Sequence, residues 1–209
     1  MKHVLTAALS ISALSIAALA GASATLAQTA PAASPASVQA GTYTIDSHHT
    51  LAQFGVTHFG INEFFGTFPG ATGTLTLDPK NLAATKLDVT LPVATVSTTN
   101  ATLDKELVSA YWFDAARFPD MRFVSTKVTR TGAKTATIAG TLTMHGVTRP
   151  IVLNATFNAA AVNPMNKAYT LGFKATGVIK RTAFGVSKYA PMVSDDTTIT
   201  ISAAFEKKS

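Results

Sequence analysis

TIAGTLTMHGVTRPIVLNATF, residues Thr137 to Phe157, alternates in character on both sides of a single break. Ile138, Gly140, Leu142 and Met144 share one parity, and Thr137, Ala139, Thr141 and Thr143 the other, the period-two pattern of a half-buried strand. His145-Gly146 interrupts it. Gly takes positive φ without penalty and His tolerates it better than most residues, so the pair suits a two-residue hairpin turn. Beyond the turn, Val147, Ile151, Leu153, Ala155 and Phe157 share one face. Pairing Met144 with Val147 sets Leu142 opposite Arg149, Gly140 opposite Ile151 and Ile138 opposite Leu153. The apolar faces then coincide, and a slip of one residue would separate them. Pro150 falls opposite Thr141, where its missing N–H predicts a bulge or an interrupted ladder.

The rest of the chain repeats this rhythm. Phe54, Val56 and His58 share one parity within Leu51 to His58, and Leu87, Val89 and Leu91 point inward between Lys86 and Pro92. Between Asn62 and Asp78, Phe64, Phe65 and Phe68 are interleaved with Gly66, Gly70 and Gly73. Such glycines mark bends, bulges or close backbone approach. The aromatics beside them either line a cavity or fill a tightly curved core. Met121 to Thr129, Tyr169 to Ile179 and Asp195 to Phe205 read as further strands, the first with Phe123, Ser125 and Lys127 on one parity. The β rhythm stops between Thr98 and Pro119. There Thr99 or Asn100 caps a short helix carrying Leu103 and Leu107, and Trp112 anchors it. About eight strands, Thr-rich outside and apolar inside, predict an all-β protein: a closed eight-stranded antiparallel barrel with one short helical connection. A barrel of that size has an interior just wide enough for side chains or one slender ligand.

Composition narrows the function. The chain has 209 residues, 47% hydrophobic and 13% charged, with no Cys. A disulfide framework, a Cys nucleophile and a thiolate metal site are excluded. The formal charge is +6, but Lys and Arg are spread singly apart from Lys180-Arg181 and Lys207-Lys208. Nucleic-acid binders concentrate their basic residues, so no nucleic-acid partner is expected. A transient contact with a membrane surface fits the mild positive charge better.

Met1-Lys2-His3 followed by the apolar run Val4 to Ala20 and small residues at Ala22-Ser23-Ala24 reads as a secretory signal peptide, residues 1–27. The mature chain is expected to begin near Thr25 or Gln28, without a lipid anchor because no Cys follows. Residues 28–40, rich in Ala, Pro and Ser, read as a flexible linker, and 41–209 as a single domain. The protein is therefore expected in the periplasm.

Catalytic patterns are missing. His48 and His49 are adjacent and diverge if on a strand, His58 ends a strand, and His145 sits in a turn. No spacing calls for a metal, and there is no nucleophile elbow or phosphate-binding Gly loop. Asp195-Asp196 suggests strand-end solvation more than a catalytic carboxylate pair. No enzyme activity, catalytic residue, cofactor or metal is expected.

Several segments, taken in order, resemble the YceI-like family of bacterial polyisoprenoid-binding proteins. These are Tyr43-Thr44-Ile45-Asp46 with His48, FGVTHFG at Phe54 to Gly60, Gly66-Thr67-Phe68, and Gly73 to Asp78. Further matches are Leu103-Asp104 through Leu107 to Asp114, Phe118-Pro119, Phe123, GTLTMHGVTRP at Gly140 to Pro150, Phe184-Gly185, and Val193 to Asp196. Lys180 stands where family members often carry Asn, and Ala71 where an aromatic is common.

The resemblance implies a lipocalin-like barrel whose interior holds a long isoprenoid chain, such as that of a quinone or a polyprenyl phosphate, as bound ligand. Candidate contacts in the first half are Phe54, Val56, His58, Phe68, Leu75 and Leu77. In the second half they are Phe123, Leu142, Met144, Leu171 and Phe173. Arg181 is the candidate for an anionic or carbonyl head group, with a solvated Arg as the alternative. The function expected is binding, with carriage or storage of the lipid, by a monomer or homodimer. The competing expectations are a ligand-free structural or stress protein with a packed barrel and, behind it, a small-molecule enzyme.

Overall fold

The computed structural model describes residues 31–32 and 34–208, so the stretch read as a signal peptide, 1–27, lies outside the described residues. Ten strand segments and one α-helix follow in the order β1 (Gly41–Ile45), β2 (Leu51–His58), β3 (Asn62–Phe68), β4 (Thr72–Leu77), β5 (Lys86–Pro92), α1 (Ala101–Leu107), β6 (Asp120–Arg130), β7 (Thr135–Met144), β8 (Val147–Val162), β9 (Tyr169–Lys180) and β10 (Asp196–Lys207). All pairings are antiparallel, and β4 to β10 are neighbours in chain order.

Ten segments fill eight barrel positions because two positions are each shared by a broken pair. The first half of β10 pairs with β2 (Thr198 opposite Gly55), and its last part with β1 (Ile45 opposite Phe205). β1 and β2 thus form one interrupted stave. β3 and β4 form another, since β1 pairs with β4 and β2 with β3. β10 meeting both halves of the first stave closes the barrel. The seam beyond the second stave is uneven. β4 makes a full ladder with β5, whereas β3 meets the following segment at the single bridge Thr67–Ser97. The connection from Val93 to Pro119, with α1 in it, covers this half of the barrel end. Asn100 is the cap: its Oδ1 accepts from the backbone N–H of Thr102 and Leu103.

The hairpin at the centre of the sequence has the predicted register throughout, from Met144 opposite Val147 to Ile138 opposite Leu153. His145 and Gly146 have φ of 51° and 73°, as a type I′ turn requires. The bulge expected at Pro150 is not there, and the β7–β8 ladder is unbroken. Opposite Thr141, Pro150 turns its ring nitrogen away from β7, toward an edge where pairing with β9 begins only at Asn154. No ladder hydrogen bond is lost, so none has to be avoided.

Bulges occur elsewhere. In β6, Ser125 faces Gly140 and Lys127 faces Ala139, which leaves Thr126 as an extra residue. In β8, Asn158 is extra in the same way. Of the Ala/Pro/Ser segment expected to be a flexible linker, the described part lies against the barrel. Ala32 exchanges backbone hydrogen bonds of 2.7 and 3.0 Å with Ala160, and Val38 is buried.

Candidate functional site

The inward faces of the staves enclose an elongated, overwhelmingly apolar cavity of about 530 Å³. It exists because side chains of one parity are apolar and because several of them lie flat against the wall. Phe54 pairs directly with Gly66, and its ring occupies the space that a Cβ at position 66 would need. Phe123 lies over Gly140 in the same fashion. The rings are thereby held against the sheet instead of across the lumen.

Most of the expected contacts converge on this space. Phe54, Val56 and His58 reach it from β2, Phe68 from β3, and Leu75 and Leu77 from β4. Phe123 comes from β6, Leu142 and Met144 from β7, and Phe173 from β9. Leu171 does not reach it. It is fully buried in the packed cluster of Tyr43, Phe157, Ala160 and Phe205 beside one end of the cavity. At the opposite end, α1 contributes Leu103, Glu106 and Leu107, and Trp112 lines the space as well as anchoring the connection. The Trp112 indole N–H donates to Glu106 Oε1 at 3.0 Å, and Lys188 Nζ donates to the same oxygen at 2.8 Å.

Arg181 borders this end of the cavity but is only 5% exposed. Its guanidinium donates to four backbone carbonyls of one loop, those of Val186, Lys188, Val193 and Ser194, at 2.7 to 2.9 Å. It also lies over the Trp112 ring at 5.6 Å. Burial lowers its pKa, with the charge of Asp195 opposing that shift. Four of its five N–H groups are thus spent on folding the loop that caps the barrel.

Sequence reasoning missed the polar residues at the other end: Thr85, Arg130 and Lys134. The strict alternation of β6 placed Lys127 inward. The extra residue Thr126 shifts the phase, so Val128 and Arg130 line the cavity and Lys127 is exposed. A bulge of this kind leaves no compositional mark, though a run of mixed parity such as Ser125-Thr126-Lys127 is where one fits. Thr85 Oγ1 is buried and has no hydrogen-bond partner.

The arrangement offers little for chemistry. Among the described residues no three His, Asp or Glu side chains gather as a metal site. The Asp195 and Asp196 carboxylates diverge: Asp195 accepts from the Thr182 N–H at 2.9 Å, and Asp196 pairs with exposed Lys180 at 2.7 Å. His49 and Asp46 form a pair at 2.6 Å in the turn after β1, outside the cavity.

Comparison with known proteins agrees with this architecture. A YceI-like domain model matches residues 43–205. A UPF0312 protein of Pseudomonas savastanoi pv. phaseolicola is 38% identical over 154 residues, covering 73% of this chain and 80% of that one. The crystal structure of a Campylobacter jejuni YceI protein superposes with a TM-score of 0.65 at 32% identity, covering 73% of this chain and 90% of that one. A structure described as a polyisoprenoid binding domain from Saccharophagus degradans shares the fold, with a TM-score of 0.61 at 13% identity over 79% of this chain and 98% of that one. The match over most of the barrel, together with 38% identity to a relative of which it covers 80%, makes the chain a member of the YceI-like family.

Proposed function

We propose that this protein binds a long isoprenoid chain inside its barrel and carries or stores it in the periplasm, without catalysing a reaction on it. The carrying observation is the apolar cavity of about 530 Å³. Its size falls within the roughly 300–1,000 Å³ common for small-molecule sites, and its walls hold many apolar side chains and few polar ones. Each buried CH₂ contributes about 0.8 kcal/mol, so a few isoprene units suffice for micromolar binding after the costs of association. The wall offers no directional partner along most of its length. The chain therefore sets affinity, and selectivity is left to chain length and the two ends. The polyisoprenoid-binding description of the fold relative from Saccharophagus degradans supports the same reading.

The test is organic extraction of protein purified from the periplasm, followed by mass spectrometry. The expected result is a stoichiometric isoprenoid that is lost on denaturation. A clean extract, from protein that also fails to take up an added isoprenoid alcohol, would leave the packed-barrel reading in its place. N-terminal sequencing of the same material checks export: the mature chain should begin near Thr25 or Gln28.

A further inference from the structure

The cavity reaches the surface beside β3. Apart from the Thr67–Ser97 bridge, that strand has no ladder partner among the described residues on the side away from β2. His58 of β2, Phe64 of β3 and Leu103 of α1 line the cavity here, and each is partly exposed. Five large apolar side chains stand in solvent around this portal. Phe59 and Ile61 of the β2–β3 turn are 54% and 81% exposed, and Tyr111, which follows α1, is 78% exposed. Tyr189 and Met192 are exposed in the β9–β10 connection. The five form one surface. The Phe59 N–H donates to the Met192 carbonyl at 2.8 Å, and His58 bridges Val193. The Tyr189 ring lines the cavity and lies 6.0 Å from that of Trp112. Lys188 Nζ joins the two tyrosines, 5.1 Å from the Tyr111 ring centre and 5.0 Å from that of Tyr189. Two of the five are held at a cost. Phe59 and Tyr189 have φ of 54° and 60°, a region that bulky side chains avoid and Gly or Asn occupies readily. Chain reversal alone does not account for an aromatic at either position.

Exposed apolar tips around the opening of an apolar cavity fit a lipid bilayer. Tyr favours the membrane–water boundary, with its ring in the apolar layer and its hydroxyl wet, and Phe, Ile and Met enter the acyl region. Charge does not carry the contact. Glu106 is paired with Lys188 and Asp114 with Arg117, and exposed Lys105 of α1 and Glu63 of β3 are opposite in sign. Continuity with the cavity favours a bilayer over a protein partner, because an apolar chain passing through an apposed portal never meets water. At the far end of the barrel, Val162 and Met165 are equally exposed but do not line this cavity. Resting on the lipid-binding reading above, we infer that the β2–β3 turn, Tyr111 and the Tyr189–Met192 segment insert into a lipid bilayer and hold the portal against it, so that ligand passes directly between bilayer and barrel.

The experiment uses the mature protein and vesicles of phosphatidylcholine, with and without phosphatidylglycerol. Flotation measures the bound fraction. Stopped-flow fluorescence follows uptake of a fluorescent farnesol, supplied either in the vesicles or from ethanol. Phe59→Asn/Ile61→Ser/Met192→Ser is compared with wild type and with Val162→Ser/Met165→Ser at the far end, and circular dichroism confirms that each variant is folded. Wild type should float with both kinds of vesicle, in high salt as in low. The triple variant should lose about tenfold or more in bound fraction and in transfer from vesicles, since three apolar side chains no longer leave water. Its uptake from ethanol should be unchanged, and the far-end variant should match wild type. Absence of flotation by wild type, flotation confined to phosphatidylglycerol and abolished by salt, or a triple variant equal to wild type overturns the membrane face. So does a wild-type dimer that the triple variant does not form, seen by sedimentation without flotation, which would give the patch to a second copy. Uptake from ethanol leaves lipid binding standing in each of these cases. If farnesol enters by neither route, the lipid-binding reading fails and the proposal falls with it.

Discussion

The Phe54 ring rests on the bare backbone of Gly66, its direct partner across the β2–β3 pair, and touches the Phe68 ring with centroids 5.7 Å apart. Gly66 has an ordinary backbone conformation, and the atoms nearest to a Cβ there are those of the Phe54 ring and a methyl of Thr98. Gly66→Ala should therefore leave the sheet intact and drive the ring into the lumen. Overpacking of this kind costs about 1–3 kcal/mol in a filled core. Here the expected cost is near the low end, with a clear loss of extractable lipid. Lipid content equal to wild type would show that the ring moves elsewhere.

Leu142 lines the cavity near the turn end of β7, whereas Leu171 is fully buried in the packed cluster. Leu142→Trp should fold with near-normal stability and carry less lipid, because the indole enters the cavity. Leu171→Ala should lose about 2–5 kcal/mol while the protein that remains folded retains its lipid. Denaturant midpoints and lipid extraction on both variants give the comparison. A large destabilisation by Leu142→Trp in delipidated protein would mean that no usable space exists there.

Arg181→Met removes the donors to four loop carbonyls and leaves them buried. The expected loss is about 3 kcal/mol or more, with faster proteolysis between Val186 and Ser194. Arg181→Lys should not rescue it, since an ammonium cannot reproduce the planar fork. If Arg181→Met kept its stability and lost only lipid, the residue would be a ligand contact and not an organiser of the loop.

Tyr43 is fully buried, and its pKa is pushed up to about 12 by burial and, secondarily, by the charge of Tyr169. The folded state holds this proton more tightly than the unfolded chain. The stabilisation is complete below the ordinary Tyr value of 10.0 and is lost as pH rises toward about 12. Tyr43→Phe should remove that part of the alkaline decline. It should also cost about 1 kcal/mol at neutral pH, through loss of the hydrogen bond to the Gln39 carbonyl. Urea midpoints of the two proteins across this pH range test it; parallel curves would contradict the assignment.

Much of the barrel was legible because its wall obeys a single period. The β7–β8 register, the limits of β5 and the inward parity of β10 all follow from which side of a strand must be dry. Local alternation could not convey the breaks at Asp46–Thr50 and Pro69–Ala71. These are decided by β10, which is distant in sequence and long enough to pair with β1 and β2 in succession. Nor did it convey the fate of Arg181, whose partners are backbone carbonyls and carry no residue signature. Leu171 has the correct parity but sits too near the packed end, and parity says nothing of depth.

The extra residue at Thr126 has a hereditary consequence. Its hydroxyl bonds the Ala139 carbonyl at 3.2 Å, and beyond it every side chain of β6 changes sides. Loss of that one codon would remove the bulge and leave every facing as it is: Ser125 and Lys127 would become neighbours in regular alternation, with Val128 and Arg130 still turned inward. The polarity of this mouth is thus insulated from the residue count, because the ladder absorbs the extra residue. Among descendants of a common ancestor the extra residue can be gained or lost in a single frame-preserving event, a gap in position-by-position identity that leaves the wall of the mouth as it was.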